Sequence, residues 1–273
     1  GGLYKGGWKN ENSNGKGIRL DTDGQIYDGN FINGKLTGDG SKTWFNGDVY
    51  TGEFLNSTPN GQGKVIFANG GILEGEWKAG DLNGKGHKVL VNGDRYDGDF
   101  LEGQYHGYGI KTQANGDIHE GYFFENVANG YGEITYQTGG GYKGEFKYGT
   151  PHGFGLLYWA NGQYEGGFDK GLEHGYGEYL YSDGVTYKGG NLNGKMHGKG
   201  IYTYADGSSY DGQFENNLMH GKGIYTWADG SSYDGQFENN MFNGDAYYNR
   251  VSDGLTYIGT FKRHEFHGKG TSK

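Results

Sequence analysis

The 273-residue chain holds 60 Gly, two Pro and no Cys, which excludes disulfide staples, thiol nucleophiles, Cys-ligated zinc and, in the absence of a Gly-X-Y period, a collagen helix. A formal net charge of −9 leaves no basic footprint for nucleic acid and weakens any general attraction to anionic membranes. With 25 Tyr, 15 Phe and 5 Trp in a chain only 33% hydrophobic, ring surface is the main apolar material available for burial.

No apolar run reaches the ~18 residues of a membrane span, and no signal-peptide pattern opens the sequence. The chain begins at Gly1, and Gly268–Lys273 stops partway through a repeat. Both features predict a segment of a longer protein.

Self-comparison reveals the organisation. Residues 197–217 return at 220–240 with one change, Tyr204 to Trp227, giving a period of 23. After a lead-in of residues 1–3, repeats start at Tyr4, Tyr27, Tyr50, Leu73, Tyr96, His119, Tyr142, Tyr164, Tyr187, Tyr210, Tyr233 and Tyr257, a single array over residues 4–273. The repeat from Tyr142 is one residue short and that from Tyr233 one residue long. Counting from these starts, the third position is always Gly and the twelfth is always Gly; the fourteenth is Gly except at Ala246, and the fifth is aromatic except at Asn191.

Each unit reads as two strands. Tyr-x-Gly-x-Phe has period two, so ring, Gly and ring share one face while charged residues face away. The second strand follows the Gly pair, as in Gly200-Ile201-Tyr202-Thr203-Tyr204 or Gly63-Lys64-Val65-Ile66-Phe67, rich in β-branched and aromatic residues. It ends at Ala205-Asp206-Gly207 or its equivalents Ala68-Asn69-Gly70, Ala160-Asn161-Gly162 and Ala228-Asp229-Gly230. Such a loop predicts a type I turn with a left-handed Gly and a G1 bulge.

That turn sets Tyr202 opposite Tyr210, Gly200 opposite Gly212 and Gly198 opposite Phe214, with Gly198 making room for the Phe214 ring. A two-residue turn would instead swap the faces. The other connection, such as Asn193-Gly194-Lys195-Met196-His197-Gly198, is read as a loop, because Pro59 and Pro151 both fall at its tenth position.

The pattern Tyr-x-Gly-x-aromatic followed by Gly-x-Gly, in a dozen copies over almost the whole chain, resembles the MORN family (membrane occupation and recognition nexus repeats). The expected fold is all-β, an elongated single-layer antiparallel meander of about twelve β-hairpin repeats, on the order of 100 Å long at ~4.8 Å per strand. The resemblance implies a non-enzymatic scaffold for protein–protein interaction. Cytoplasmic, cytoskeletal and ciliary settings, the radial spoke of the axoneme among them, are carried by the resemblance alone.

Candidate chemistry is thin. His106, His152, His174, His197, His220 and His267 share one repeat position, yet neighbours at ~9 to 10 Å spacing cannot share one zinc ion, whose ligands sit ~2 Å away. Asn fills the same slot at Asn14, Asn60, Asn83, Asn129 and Asn243, so a turn-forming residue is the better reading. Gly198-Lys199-Gly200 looks like a phosphate loop but no helix follows it. Acidic residues such as Glu145, Glu165 and Asp211 repeat along the solvent face instead of forming one catalytic pair. No catalytic, cofactor or metal residue is therefore assigned, and no cofactor is expected.

The expected protein-binding surface is the aromatic face, at Phe100, Phe123, Tyr136, Phe146, Trp159, Phe168, Tyr181, Tyr204, Phe214 and Trp227. Its expected occupants are an amphipathic helix, an extended peptide or another copy of the array within a large complex. Two alternatives are a phosphoinositide or membrane-surface module and the regulatory region of a larger enzyme. Asn191, His119, Leu73 and the stretch 245–256 depart from the pattern, either as drift or as places a specific partner is read.

Overall fold

The structure is a computed structural model and describes residues 2–273. It is all-β: 24 antiparallel strands succeed one another among the described residues, with no helix. The chain divides into two compact units, Gly1–Gln137 and Thr138–Lys273. Within the first, every strand from Leu3–Lys9 to Val127–Thr135 pairs antiparallel with the next. The second repeats the scheme from Gly141–Lys147 to Glu265–Ser272.

Successive repeats join through the expected loop. The Tyr204 amide donates to the Ser208 carbonyl (2.8 Å), the Gly207 amide to the Tyr204 carbonyl (3.0 Å), and Gly207 is left-handed at φ 88°. Asp206 Oδ1 accepts the Ser208 amide at 2.8 Å, which closes the loop from its side chain. The resulting pairs, Tyr202 with Tyr210, Gly200 with Gly212 and Gly198 with Phe214, are those the sequence predicts. Ala160-Asn161-Gly162 is an exception. Trp159 pairs directly with Gly162, so the missing residue leaves a two-residue turn and puts Gly162 in a strand.

The connection inside each repeat is a tight turn and not a loop. Its two central residues are left-handed throughout, for example Asn56 and Ser57 (φ 53° and 67°) or Asn193 and Gly194 (φ 52° and 77°), the geometry of a type I′ hairpin. The following strand starts immediately, so Pro59 and Pro151 lie within strands Thr58–Ile66 and Thr150–Trp159, opposite Phe54 and Phe146.

Proline is tolerated there because the amide at that position points out of its own ladder, toward the turn of the next repeat. The amides of Leu36, Tyr105, Met196 and Met219 are accepted by side chains of Ser57, Asn126, Asn217 and Asn240. Where the next turn carries Gly80 or Gly171, which offers no side-chain acceptor, the tenth residue is Pro59 or Pro151 and there is no donor to satisfy. In both cases the turn amide still donates to the proline carbonyl, at 3.0 and 2.9 Å.

The core is a zigzag of rings on one face of each unit. Tyr50, Tyr96, Tyr164, Tyr210 and Tyr233 are wholly buried, and fifth-position rings meet these tyrosines edge-to-face: Phe237 touches both Tyr233 of its own repeat and Tyr210 of the repeat before, while Trp77 and Phe123, whose repeats start with Leu73 and His119, meet the preceding Tyr50 and Tyr96. The tyrosine lies flat across two glycines. A Cβ on Gly200 would stand under 3.0 Å from the Tyr187 ring, and one on Gly189 would strike Gly200 and the Tyr187 hydroxyl. The phenol spans the bare backbone and donates to the carbonyl at its third neighbour, as Tyr210 does to Gln213 at 2.8 Å and Tyr187 to Gly190 at 2.7 Å.

The ring over glycine is thus the tyrosine, not Phe214. Gly198 would have open space for a side chain, and its requirement is a left-handed φ of 74° at the bulge that interrupts each repeat's own hairpin.

Candidate functional site: the outer aromatic tier

Burial splits the ten expected contact residues into two groups. Phe100, Phe123, Phe146, Phe168 and Phe214 are buried and form the ring zigzag itself, so no partner touches them in the folded chain. Tyr136, Trp159, Tyr181, Tyr204 and Trp227 sit at the eighteenth position, farther along the same face and partly exposed. Only this second group offers surface.

In the second unit the tier is deepened by a row that sequence reasoning overlooked, at the sixteenth position: Tyr179, Tyr202, Tyr225 and Tyr248, all half-buried. These rings interlock with the first row. Tyr202 and Tyr204 lie 4.7 Å apart, Tyr204 and Tyr225 5.9 Å, Tyr225 and Trp227 4.9 Å, and Trp227 and Tyr248 5.9 Å. Trp159, Tyr181 and Tyr179 form a second run at 6.0 and 6.2 Å. Period two from the glycine pair carries straight into this row, and that spacing was the available signal.

Burial pushes the Tyr210 and Tyr233 hydroxyls up to about 12, and raises those of Tyr181, Tyr202 and Tyr204 for the same first reason. The face therefore presents neutral phenols, each an apolar plate with a hydrogen-bonding rim.

The corresponding sixteenth-position row of the first unit carries cations. Arg19 lies over Tyr27 at 4.5 Å, Lys42 over Tyr27 and Trp44 at 5.2 and 4.8 Å, and Lys88 over Tyr105 at 5.4 Å. Burial lowers the Lys88 ammonium. These cations cover their own rings.

The departures from the repeat differ in kind. His119 takes the tyrosine place, its ring 5.1 Å from Phe123 and its Nε2 where a Cβ on Gly132 would meet it at 3.1 Å. Ala246 fits because its methyl fills the gap opposite Gly235. Asn191 is buried at 5% exposure, at a ring position, and its amide oxygen has no hydrogen-bond donor.

The opposite face holds aromatics that the sequence reading did not single out. Tyr108, Tyr122 and Tyr131 in the first unit are exposed, with Tyr108 and Tyr122 in edge contact at 5.5 Å. In the second, Phe154 and Tyr176 are exposed at 58% and 65%. All but Tyr122, which is at the fourth position, replace the Lys, Asp or Gln of other repeats between the two glycines, a substitution visible in the sequence once that position is aligned.

A hairpin array with Gly-seated tyrosines and a ring zigzag defines a repeat-built interaction scaffold. The MORN repeat pattern matches residues 4–26, 27–49, 50–72, 74–95, 96–118, 119–141, 142–163, 164–186, 187–209, 210–232, 233–244 and 257–273, and the chain belongs to the MORN-repeat family. No curated protein sequence matches it.

Solved structures with partial likeness include an E1021V mutant of the TCP10 domain of CPAP from Danio rerio. It is 11% identical, with 72% of this chain and 92% of that chain covered and a TM-score of 0.28. The SAS-4 (dCPAP) TCP domain of Drosophila melanogaster, in complex with a proline-rich motif of Ana2, is 16% identical at TM-score 0.23, covering 73% and 90%. A virginiamycin B lyase of Staphylococcus aureus is 10% identical at TM-score 0.16, covering 94% and 82%. At such scores none of them informs the function of this chain.

Proposed function

We propose that this chain is a non-enzymatic scaffold that holds an extended segment of a protein partner on the outer aromatic tier of its second unit. One observation carries the reading: from Tyr202 to Tyr248, half-buried rings interlock on the face that already carries the core, and no element of that unit covers them. Rigid aromatic plates with polar rims are efficient contact surface, since they lose little conformational entropy on binding.

A photo-crosslinking amino acid placed at Tyr204 or Trp227 should capture a protein neighbour in cells. The same probe at Ile201 or Ile224, on the opposite face, should not. Capture from Ile201 and Ile224 alone would reverse the assignment.

Family membership favours a cytoplasmic scaffold of the cytoskeleton or of a ciliary axoneme. A tagged full-length protein is expected to mark such a structure, and a diffuse cytosolic signal would remove that setting.

Membrane docking is the second reading, supported by the exposed Tyr122, Tyr131, Phe154 and Tyr176 of the opposite face, a residue type that seats well at a lipid interface. Flotation with phosphoinositide vesicles at low salt tests it, and no binding there would exclude it.

A further inference from the structure

The two most chemically distinct breaches of the aromatic face are neighbours. Glu173 is the one charged residue in the tenth-position row, where the second unit otherwise has Pro151, Met196, Met219, Phe242 and Phe266. Asn191 is the one non-aromatic residue in the fifth-position row. Elsewhere a tenth-position side chain packs beside the fifth-position ring of the following repeat, as Phe242 does with Phe261 at 6.3 Å. Glu173 holds the equivalent place relative to Asn191, and its carboxylate reaches the turn at Gly194, where Oε2 would lie 3.3 Å from a Cβ on that glycine.

No ring stands at the fifth position there, and Asn191 is buried beneath its neighbours. Tyr179 lies 4.5 Å from Tyr164 and 6.1 Å from Tyr187, and Tyr181 stacks beside Tyr179 at 6.2 Å with planes 6° apart. Glu173 acts electrostatically on Tyr164, Tyr179 and Tyr181 together, raising all three hydroxyls as a second or later cause after burial. Its carboxylate forms no ion pair or side-chain hydrogen bond among the described residues.

The half-exposed carboxylate has rings beside it and no cation opposite it among the described residues. The first unit shows what fits: at the sixteenth position, where Tyr179 stands here, Arg19, Lys42 and Lys88 lie against rings of the same face. The second unit has Leu157, Tyr179, Tyr202, Tyr225, Tyr248 and Ser272 in that row and supplies no cation of its own.

We propose that the surface formed by Glu173, Tyr179 and Tyr181, above the ring position left to Asn191, binds the side chain of a lysine or arginine in the docked partner segment. The cation would lie on the Tyr179 and Tyr181 rings with its charge against Glu173, and so fix the register of the segment along the tier. This rests on the docking reading above and adds the chemistry of one contact.

The test uses random twelve-residue peptides displayed on phage, selected on the 273-residue chain. Enriched peptides should share a Lys or Arg at one fixed place and lose binding to Tyr204→Ala. For a synthetic copy of the best peptide, exchanging that residue for Gln should weaken binding about tenfold. Glu173→Gln should weaken the original by a similar factor, and the two changes together should cost little more than either alone. Carbon-13 methyl signals of Met196, which pairs with Asn191, should shift more on titration than those of Met241.

Peptides that need Tyr204 yet ignore both the Gln exchange and Glu173→Gln would overturn this inference and leave the docking reading standing. An absence of enrichment, or enrichment indifferent to Tyr204, would overturn both. The Gln exchange is read on the unaltered protein, so a folding defect in Glu173→Gln does not rescue the proposal.

Discussion

Each glycine of the repeat is fixed by a different force, and substitution separates them. Gly200 keeps the space beneath the Tyr187 ring, whereas Gly198 needs only a left-handed backbone. Gly200→Ala should cost about 1–3 kcal/mol by displacing the ring. Gly198→Asn should cost well under about 1 kcal/mol, since Asn tolerates that φ. Urea unfolding checks the order, and a larger cost at Gly198 would restore the reading in which that glycine makes room for Phe214.

His119 gives the chain a pH dependence of its own. Burial pushes the imidazole down to about 4, with Lys111 adding like-charge repulsion. A folded value below the ordinary 6.5 means the unfolded chain takes up the proton first. Stability from this residue is therefore full above about pH 6.5 and falls as pH drops from there toward about 4, by on the order of 1–2 kcal/mol after solvent screening. Asp94 and Asp229, lowered first by hydrogen bonds from backbone amides, and Asp206, lowered first by the Ser208 side chain, lose their contribution as pH falls through the carboxylate range around 3.8, at the acid edge of that window. Melting curves of His119→Tyr should lose the slope between pH 6.5 and 4, and an unchanged slope would assign it elsewhere.

At the scale of the element, the turns couple one repeat to the next. Asn240 Oδ1 accepts the Met219 amide at 2.7 Å, and the Asn240 amide donates to the Met219 carbonyl at 2.9 Å. Asn240→Ala should cost about 1–2 kcal/mol, because it strands a donor and keeps a strained φ. In a Met219→Pro background it should cost less, there being no donor to strand. Equal cost in both backgrounds would show that the side-chain bond carries no energy.

The three-residue loop and its register were legible in the sequence, because Ala205-Asp206-Gly207 admits few geometries. The inner connection was not. Its proline was read against its own hairpin, whereas the amide it lacks would have faced the turn of the following repeat, 21 residues away at Gly80 or 20 at Gly171. A Gly in the following turn permits the proline without calling for it, since Ser13, Leu82, Ala128 and Glu173 also precede turns that carry Gly.

For the whole molecule, the expected contact residues divided along a line the repeat pattern does not display. Fifth and eighteenth positions share a face, but the fifth is closed over by neighbouring rings while the eighteenth lies beyond them, a distinction of depth and not of period. Phe214→Ala should therefore cost about 3–5 kcal/mol and loosen the second unit. Tyr204→Ala should cost about 1 kcal/mol or less while abolishing partner capture. Matched losses of stability in the two variants would erase the division between core and contact tier.

Hydroxyl-radical footprinting of the chain, free and in its native complex, tests the docking face most directly. Tyr181, Tyr204 and Trp227 should be labelled in the free chain and protected in the complex, with Tyr187, Tyr210 and Tyr233 protected in both. Unchanged labelling of Tyr204 and Trp227 on assembly, alongside new protection of Tyr176 and Tyr247, would contradict it.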